Sequence, residues 1–216
     1  ETGSSAVSRP SVSIIVPTYR EAENLPALAE RIAAVRAGAN LDLEVVIVDD
    51  DSRDGTEDVV RNINLPWLTL IVRKEDRGLS QAVLEGFRAA KNDVLAVMDA
   101  DLSHPPEVIP AMLDQLENGR DFVMGSRYAA GGSTGEDWGM LRQLNSRVAT
   151  LLAYPLTSVK DPMSGFFMLR KETLNRAAAL NPVGYKIALE LLVKCRCTSV
   201  GEVPIHFSQR KFGESK

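Results

Sequence analysis

Two aspartates separated by one residue are the strongest chemical signal in this sequence of 216 residues. Asp99 and Asp101 follow the apolar run 94–98, which predicts a buried strand. In an extended segment residues i and i+2 point to the same side, so the two carboxylates can face one cation. Hard oxygen ligands suit Mg²⁺ or Mn²⁺, and such a cation neutralises a diphosphate as it departs. The pair therefore predicts a divalent metal site that serves a nucleotide diphosphate.

Two further polar clusters follow predicted strands. Residues 17–21 come after the run 12–16, and the three aspartates 49–51 come after the run 43–48. Each cluster alone is compatible with turn or cap chemistry, which aspartate favours. In open α/β sheets, however, ligands bind outside the carboxyl ends of the strands. We therefore expect the clusters to converge on one crevice, with residues 49–51 contacting a base and a ribose.

The elements that must position these clusters form an alternating pattern of strands and helices. Continuous apolar strands between helices predict an α/β fold with a mostly parallel central sheet and helices on both faces. The predicted strands are 12–16, 43–48, 68–72, 94–98, 121–124, 166–169 and 200–207. The predicted helices are 25–35, 56–62, 79–90, 110–118, 140–154 and 187–194, with a glycine-rich loop at 131–135. We expect one domain over 12–216, preceded by a disordered tail at 1–11.

Absent motifs and the overall charge exclude several classes of protein. The sequence contains neither GxGxxG nor GxxxxGK[ST], which disfavours a dinucleotide-dependent dehydrogenase and a P-loop NTPase. A net charge of -4 argues against a nucleic-acid partner, since such proteins need a basic face. We therefore expect metal and basic side chains to hold the diphosphate.

Cysteine spacing and hydropathy bear on the compartment. Cys195 and Cys197 lack the second pair of a zinc site and are too close for an unstrained disulfide. We expect reduced, partly buried thiols, as in a cytosolic protein. No apolar run approaches the roughly 20 residues that span a bilayer, and no signal-peptide pattern is present. Any membrane contact is expected to be peripheral or made through a segment missing from this chain.

The helical segment 140–154 offers two chemically distinct faces. Arg142 and Ser146 are four residues apart and therefore neighbours on one face. A guanidinium beside a hydroxyl suits a phosphate, although a solvated polar face is the alternative. The apolar stripe from Met140 to Leu152 fits either the protein core or a bilayer interface, where Arg142 and Arg147 suit lipid headgroups.

The order of motifs resembles family 2 glycosyltransferases of the GT-A fold, and within them the dolichol-phosphate (polyprenyl-phosphate) mannose synthases. The matching segments are PTYREAENL (17–25), VDDDSRDGT (48–56), RGLSQAVLEGF (77–87), MDADLSHPPEVIP (98–110), GSRY (125–128), DPMSGFF (161–167) and EVPIHFSQRKFGESK (202–216). The first two of these segments and Asp-Ala-Asp are shared widely in the superfamily. DADLSHPPE, DPMSGFF and RKFGESK are typical of a narrower group, the prenyl-phosphate branch.

This resemblance implies an inverting, metal-dependent transfer of mannose from GDP-mannose to dolichyl or another polyprenyl phosphate, at the cytoplasmic face of a membrane. It implies a nucleotide-sugar site formed by Pro17, Tyr19, Glu21, Val48, Asp50, Asp99, Ala100, Asp101, Arg210 and Lys216. The implied metal ligands are Asp99, Asp101 and Ser103, the last standing where many relatives carry Gln. Arg127, Arg142 and Ser146 are implied to hold the acceptor phosphate, and Asp101, Arg127 and Arg210 to act in catalysis. Arg20 stands where Asn is usual and receives no role.

A phosphate acceptor removes the need for a general base. The second pKa of a phosphate monoester is about 6, so the acceptor is largely dianionic at neutral pH. Its oxygen can attack directly, whereas a hydroxyl acceptor would need a base. His104 and His206 are therefore predicted to be a turn residue and a strand residue.

Three alternatives stay open. The same class of enzyme could use a UDP-sugar and transfer glucose or an aminosugar to a polyprenyl phosphate. A sugar nucleotidyltransferase would share the α/β core, but it would be expected to have a glycine-rich loop where this chain has Pro17 and Thr18. A non-catalytic nucleotide-sugar-binding protein would have less need for a metal at the leaving diphosphate.

Overall fold

The computed structural model describes residues 9–134, 159–177, 179–181, 184 and 186–207. The strands in this part of the chain are β1 (Val12–Thr18), β2 (Leu43–Asp49), β3 (Leu68–Val72), β4 (Val94–Val97), β5 (Phe122–Ser126), β6 (Ser133–Thr134), β7 (Phe167–Arg170), β8 (Val200–Pro204) and β9 (His206–Phe207). The helices are α1 (Leu25–Gly38), α2 (Thr56–Ile63), α3 (Leu79–Ala89), α4 (Ile109–Glu117), α5 (Lys171–Leu174) and α6 (Ile187–Lys194), with a 3₁₀ turn at Pro106–Val108. No helix among these residues is long and apolar enough to cross a bilayer.

Within the described ranges, the main sheet has seven strands in the order β3-β2-β1-β4-β7-β5-β8. Every neighbouring pair is parallel except the two that involve β7, which is antiparallel to β4 and β5. The predicted α/β fold with a mostly parallel sheet is thus confirmed. From β1 the chain first proceeds outward through β2 and β3 and then returns to place β4 on the other side of β1. A crevice opens at the carboxyl ends of the strands where the strand order reverses in this way.

The core lies on both faces of this sheet, as the continuous apolar runs predicted. In β1, Ile14 and Val16 belong to the cluster that contains α1 and α4, whereas Ile15 belongs to the cluster that contains α3 and α6. All three side chains have no exposed surface. The strand is therefore held rigidly from both sides, and its carboxyl end is a fixed point for the site.

Two strand predictions need correction at their ends. β1 extends through Pro17 to Thr18. Proline has no N–H to donate to a neighbouring strand, but the pairing of β1 with β4 already ends at Ile15, so no hydrogen bond between these strands is lost at Pro17. The predicted strand 200–207 divides at Ile205 into β8 and β9, and β9 pairs with β6 inside the predicted loop 131–135. Ile205 joins the two sheets, since its N–H bonds Ser126 and its carbonyl accepts from Ser133, both at 3.0 Å.

Helix α3 packs unusually close to the sheet. A methyl group at Gly86 would lie 2.4 Å from Cγ2 of Ile15. Only glycine allows this approach, which fixes the height of α3 above β1. The amino end of the helix, at Gly78 and Leu79, is thereby brought to the carboxyl end of the sheet.

The part of the predicted tail that the structure describes touches helix α4. Arg9 forms ion pairs with Asp114 and with Glu117, the latter at 3.2 Å. Disorder of residues 1–8, which lie outside the described ranges, stays a prediction.

Candidate active site

A cleft of about 600 Å³ lies at the carboxyl ends of β1, β2 and β4. All three polar clusters singled out in the sequence contribute to its wall, together with the start of α3. The lining residues are Pro17, Thr18, Tyr19, Glu21, Asp50, Arg77, Gly78, Leu79, Ala82, Asp99, Ala100 and Asp101. The structure thus brings together seven of the residues assigned to the nucleotide-sugar site: Pro17, Tyr19, Glu21, Asp50, Asp99, Ala100 and Asp101.

The Asp-Ala-Asp segment enters the cleft directly after β4. Asp99 and Asp101 both line the cleft, and Asp101 is almost completely buried. Oδ1 of Asp101 accepts hydrogen bonds from the N–H of Ser103 at 3.0 Å and from its hydroxyl at 2.5 Å. Leu102, between them, has a φ of 65°, a conformation that costs a non-glycine residue on the order of 1–3 kcal/mol. This strained turn fixes the direction of the Asp101 carboxylate.

Ser103 lies behind Asp101 and does not line the cleft. Its side chain is buried, and its hydroxyl donates to the carboxylate it was predicted to accompany as a metal ligand. In this conformation Ser103 orients Asp101, and coordination of a metal by either residue stays a prediction. Within the described ranges no group of three histidine, cysteine, aspartate or glutamate side chains gathers at one point.

His104 supports the other aspartate from below. The N–H of Asp99 donates to Nδ1 of His104 at 3.0 Å, and the imidazole stacks on Phe166 with 5.2 Å between ring centroids. Gly165 faces this pair, since a methyl group there would lie 3.4 Å from Oδ1 of Asp99 and from Cε1 of His104. The segment 161–167 therefore backs the aspartate pair, a connection that the sequence did not reveal.

The same segment holds Arg127 by a buried ion pair. The Nε and Nη2 atoms of Arg127 donate to the two oxygens of Asp161 at 2.8 and 2.7 Å, and its backbone N–H adds a third bond at 3.0 Å. Burial opposes the charged form of Arg127, but the hydrogen bonds and charge of Asp161 outweigh it and raise the pKa of Arg127 above its usual value. Arg127 also stands close enough to Asp99 for their charges to interact. Arg127, which is predicted to contact the acceptor phosphate, is thus a rigidly held cation close to Asp99.

The three consecutive aspartates after β2 diverge. Only Asp50 lines the cleft. Asp49 is buried behind it and accepts hydrogen bonds from Thr18 at 3.2 Å and from the N–H of Ser52 at 2.9 Å. Asp49 therefore joins the ends of β1 and β2, and it has no surface in the cleft with which to contact a base or ribose.

Asp51 faces an adjoining pocket of about 400 Å³ that shares Tyr19 and Arg77 with the cleft. Its Oδ2 accepts from Arg53 at 2.8 Å and from Arg77 at 2.7 Å. The hydrogen bond from Arg53 is the largest influence and lowers the pKa of Asp51 below its usual value, against the opposing effect of burial. Asp51 therefore stays ionised and fixes Arg77 at the junction of the two cavities.

Local bonds also position the wall formed after β1. Glu21 accepts a hydrogen bond at 2.7 Å from Nδ2 of Asn24, the residue that precedes α1. Tyr19 is 38% exposed and presents its ring at the rim. Val48, in contrast, has no exposed surface and packs in the core with α3 and α6, so its side chain does not reach the cleft.

Four of the predicted site residues lie outside the described residues: Arg142, Ser146, Arg210 and Lys216. The apolar stripe of 140–152 lies outside them as well. Conversely, sequence reasoning assigned no role to Arg77, Gly78, Leu79 and Ala82, which line the cleft. The signal was present in the segment 77–87, where an Arg-Gly pair directly precedes a predicted helix.

Comparison with known sequences gives a consistent result. The sequence model of glycosyl transferase family 2 matches residues 13–177. A dolichol-phosphate mannosyltransferase of Pyrococcus furiosus is 45% identical over 210 residues, which are 95% of this chain and 58% of that protein. Proteins of the same name from Mycosarcoma maydis and Saccharomyces cerevisiae are 44% and 42% identical, over 100% and 94% of this chain and 76% and 80% of theirs. The chain thus spans between 58% and 80% of the length of these relatives.

Comparison with solved structures supports the fold. Glucosyl-3-phosphoglycerate synthase from Mycobacterium tuberculosis, in complex with Mn²⁺, UDP and glucosyl-3-phosphoglycerate, gives a TM-score of 0.71 at 18% identity over 96% of this chain and 73% of that chain. Its complex with Mn²⁺, UDP-glucose and phosphoglyceric acid gives 0.71 at 17% identity, over the same 96% and 73%. At this identity the likeness shows the GT-A fold alone. The match of the family model over residues 13–177 and the relatives at 42–45% identity establish that this protein belongs to glycosyl transferase family 2.

Proposed function

We propose that this chain transfers mannose from GDP-mannose to the phosphate of dolichol or another polyprenyl phosphate. The proposal is supported by the relatives named dolichol-phosphate mannosyltransferase, which are 42–45% identical to this chain over aligned stretches that cover 94–100% of it. The structural observation that carries it is the placement of Asp99 and Asp101 in a cleft at the reversal of strand order, which Tyr19 and Asp50 also line. Such a cleft suits a nucleotide-sugar, with its diphosphate near the aspartate pair.

The donor set at the end of β4 fits a divalent cation. Asp99 and Asp101 supply hard carboxylate oxygens in the wall of the cleft, and Asp101 is oriented by Ser103. Mg²⁺ and Mn²⁺ both prefer such ligands. A cation held there would neutralise the charge that develops on the leaving nucleoside diphosphate. Two solved structures with the same fold are complexes with Mn²⁺.

The residues around the cleft support a mechanism without a general base. The Nδ1 atom of His104 accepts the N–H of Asp99, and the ring is buried between Phe166 and Phe207. His104 is therefore a support for Asp99 and is poorly placed to take a proton from a substrate. A phosphate acceptor needs no such group, because it is already largely dianionic near neutral pH. Arg127, fixed by Asp161, supplies positive charge close to Asp99 for that acceptor.

The reaction is tested by offering the purified protein labelled GDP-mannose, UDP-glucose and UDP-N-acetylglucosamine, each with a short polyprenyl phosphate and Mn²⁺. We expect label to move into the lipid only from GDP-mannose, with release of GDP and inversion at the sugar carbon. Transfer from a UDP-sugar alone would replace the donor and favour the alternative named above. Donor binding without transfer to any polyprenyl phosphate would overturn the proposal and favour a binding protein.

We further propose that the reaction takes place at the cytoplasmic face of a membrane. The acceptor itself supports a membrane surface as the place of reaction, because a polyprenyl chain is buried in the bilayer and presents only its phosphate at the surface. Flotation with vesicles that contain polyprenyl phosphate measures this contact. Equal flotation with and without the acceptor lipid, or none in either case, would contradict recognition of the acceptor at the surface.

A further inference from the structure

Arg73 is a partly buried arginine beside the cleft, and none of the sequence motifs contains it. It directly follows β3, and its N–H extends the pairing with β2 by donating to the carbonyl of Asp49 at 2.7 Å. Its Nη1 atom donates to Oδ1 of Asp50 at 2.8 Å. Both side chains are only 10% exposed, so the ion pair is largely shielded from water. Arg73 does not line the cleft, whereas Asp50 does.

The same guanidinium holds the connection between β3 and α3. It donates to the carbonyl of Gly78 at 3.4 Å and to that of Asp76. The N–H of Gly78 in turn donates to Oδ2 of Asp50 at 2.6 Å. Both carboxylate oxygens of Asp50 are thereby fixed, one by Arg73 and the other by the loop that Arg73 holds.

The loop has positive φ values at two residues, with different consequences. Asp76 has a φ of 48°, which costs a residue with a side chain on the order of 1–3 kcal/mol and persists where surrounding contacts hold it. Gly78 has a φ of 135°, which glycine adopts without this cost. The loop ends in Arg77, Gly78 and Leu79, which form the wall of the cleft opposite the end of β1. One side chain therefore sets the direction of Asp50 and the position of that wall.

We propose that Arg73 is a positioning residue for donor binding: it aligns Asp50 and the segment 77–79 so that the cleft is preformed for the nucleotide. This inference rests on the proposed function, in that the cleft is taken to bind a nucleoside diphosphate. Without the guanidinium, Asp50 would be a shielded carboxylate without its cation and the loop would lose two carbonyl bonds. Nucleotide binding would then have to order the cleft as well, and the free energy that this ordering costs weakens the observed affinity for the nucleotide.

The test measures GDP binding by calorimetry with Mn²⁺ present for the wild type, Arg73→Met and Arg73→Lys, with thermal unfolding recorded for each. We expect Arg73→Met to weaken GDP binding by about ten- to a hundredfold, as for other truncations in shielded charge pairs. Arg73→Lys keeps the charge beside Asp50 but cannot reach three acceptors, so its affinity should lie between the two. It also keeps the test valid if Arg73→Met fails to fold.

The matched control is Arg176→Met, which removes another arginine–aspartate pair, that with Asp121 at 2.7 Å. Asp121 precedes β5, at the end of the sheet opposite the cleft, so this variant should lower stability without changing GDP affinity. In steady-state assays Arg73→Lys should raise the KM for the donor and leave the KM for the lipid phosphate unchanged. A general structural defect would change both.

The outcomes separate the inference from the proposed function. If the wild type binds neither GDP nor UDP, the proposed nucleotide cleft itself is wrong. If the wild type binds GDP and both Arg73 variants bind it with the wild-type affinity, the nucleotide cleft is supported and the positioning role of Arg73 is overturned. Equal losses of affinity in Arg73→Lys and Arg176→Met would also overturn it, because position in the fold would then not matter.

Discussion

At the scale of single residues, the site depends on side chains that hold other side chains. Asp101 owes its direction to Ser103, and Arg127 owes its position to Asp161, which has no exposed surface. Such partners of a metal ligand or a substrate contact normally affect function almost as strongly as the contacts themselves. The motifs that surround the aspartate pair are therefore understandable as its supports.

Replacing Ser103 by alanine tests this dependence. The variant removes the hydroxyl that donates to Oδ1 of Asp101, so the carboxylate loses one of the hydrogen bonds that orient it and keeps that from the N–H of residue 103. We expect the Mn²⁺ concentration for half-maximal transfer to rise by about ten- to a hundredfold, as for other supports of metal ligands. Ser199→Ala is the control, since its hydroxyl accepts a hydrogen bond from Arg120 on the exposed surface, away from the cleft. An unchanged metal requirement in Ser103→Ala would contradict the supporting role.

At the scale of elements, the position of α3 above the sheet determines where the wall of the cleft stands. Gly86 permits that position, because any side chain there would collide with Ile15. The collision is with the core of the sheet, where neighbouring strands leave no room for displacement.

We therefore expect Gly86→Ala to destabilise the protein by about 1–3 kcal/mol, as overpacked cores usually do. Because α3 carries Gly78 and Leu79 at its amino end, donor binding should weaken too. Urea unfolding measures the first effect and calorimetry the second. Gly38→Ala, at the end of α1, is the control because nothing lies within 4 Å of the added methyl group. A Gly86→Ala variant as stable as Gly38→Ala would contradict the close packing.

The sequence predicted the elements better than their pairing. Buried strands are recognised from apolar runs, but an apolar run does not reveal direction, so the antiparallel β7 could not be identified. Likewise the run 200–207 gave no sign that Ile205 joins two sheets. Within the site, the positions of the strand ends predicted the crevice. The side chains of Asp49, Asp50 and Asp51 point in different directions because of the local turn geometry, and a run of three identical residues gives no sign of which one faces the crevice.

At the scale of the whole molecule, stability at the end of the sheet remote from the cleft depends on Asp121. Burial raises the pKa of this carboxyl group, but the bond from Arg176 and the N–H groups of Ser199 and Thr198 outweigh it and lower the pKa below its usual value. These contacts join the starts of β5 and β8 to the end of α5.

The lowered pKa predicts a direction for the pH dependence. A carboxyl group with a lowered pKa in the folded state adds stability above its unfolded-state value, and this contribution is lost as the pH falls through the folded-state pKa. Asp121→Asn should therefore be less stable than the wild type near neutral pH, and the difference should shrink below about pH 4. Urea unfolding at several pH values measures this difference. A difference that stays constant into acid would contradict the assignment to the ionised Asp121.

The central claim is that Asp99 and Asp101 hold the metal that sugar transfer requires. It is tested most directly by measuring mannose transfer from GDP-mannose to a polyprenyl phosphate across a Mn²⁺ titration, for the wild type and for Asp101→Asn. We predict that the wild type is inactive in chelator and saturates with Mn²⁺, whereas Asp101→Asn stays inactive at every concentration while remaining folded. Full activity of the wild type in chelator, or wild-type rates in Asp101→Asn, would contradict the account.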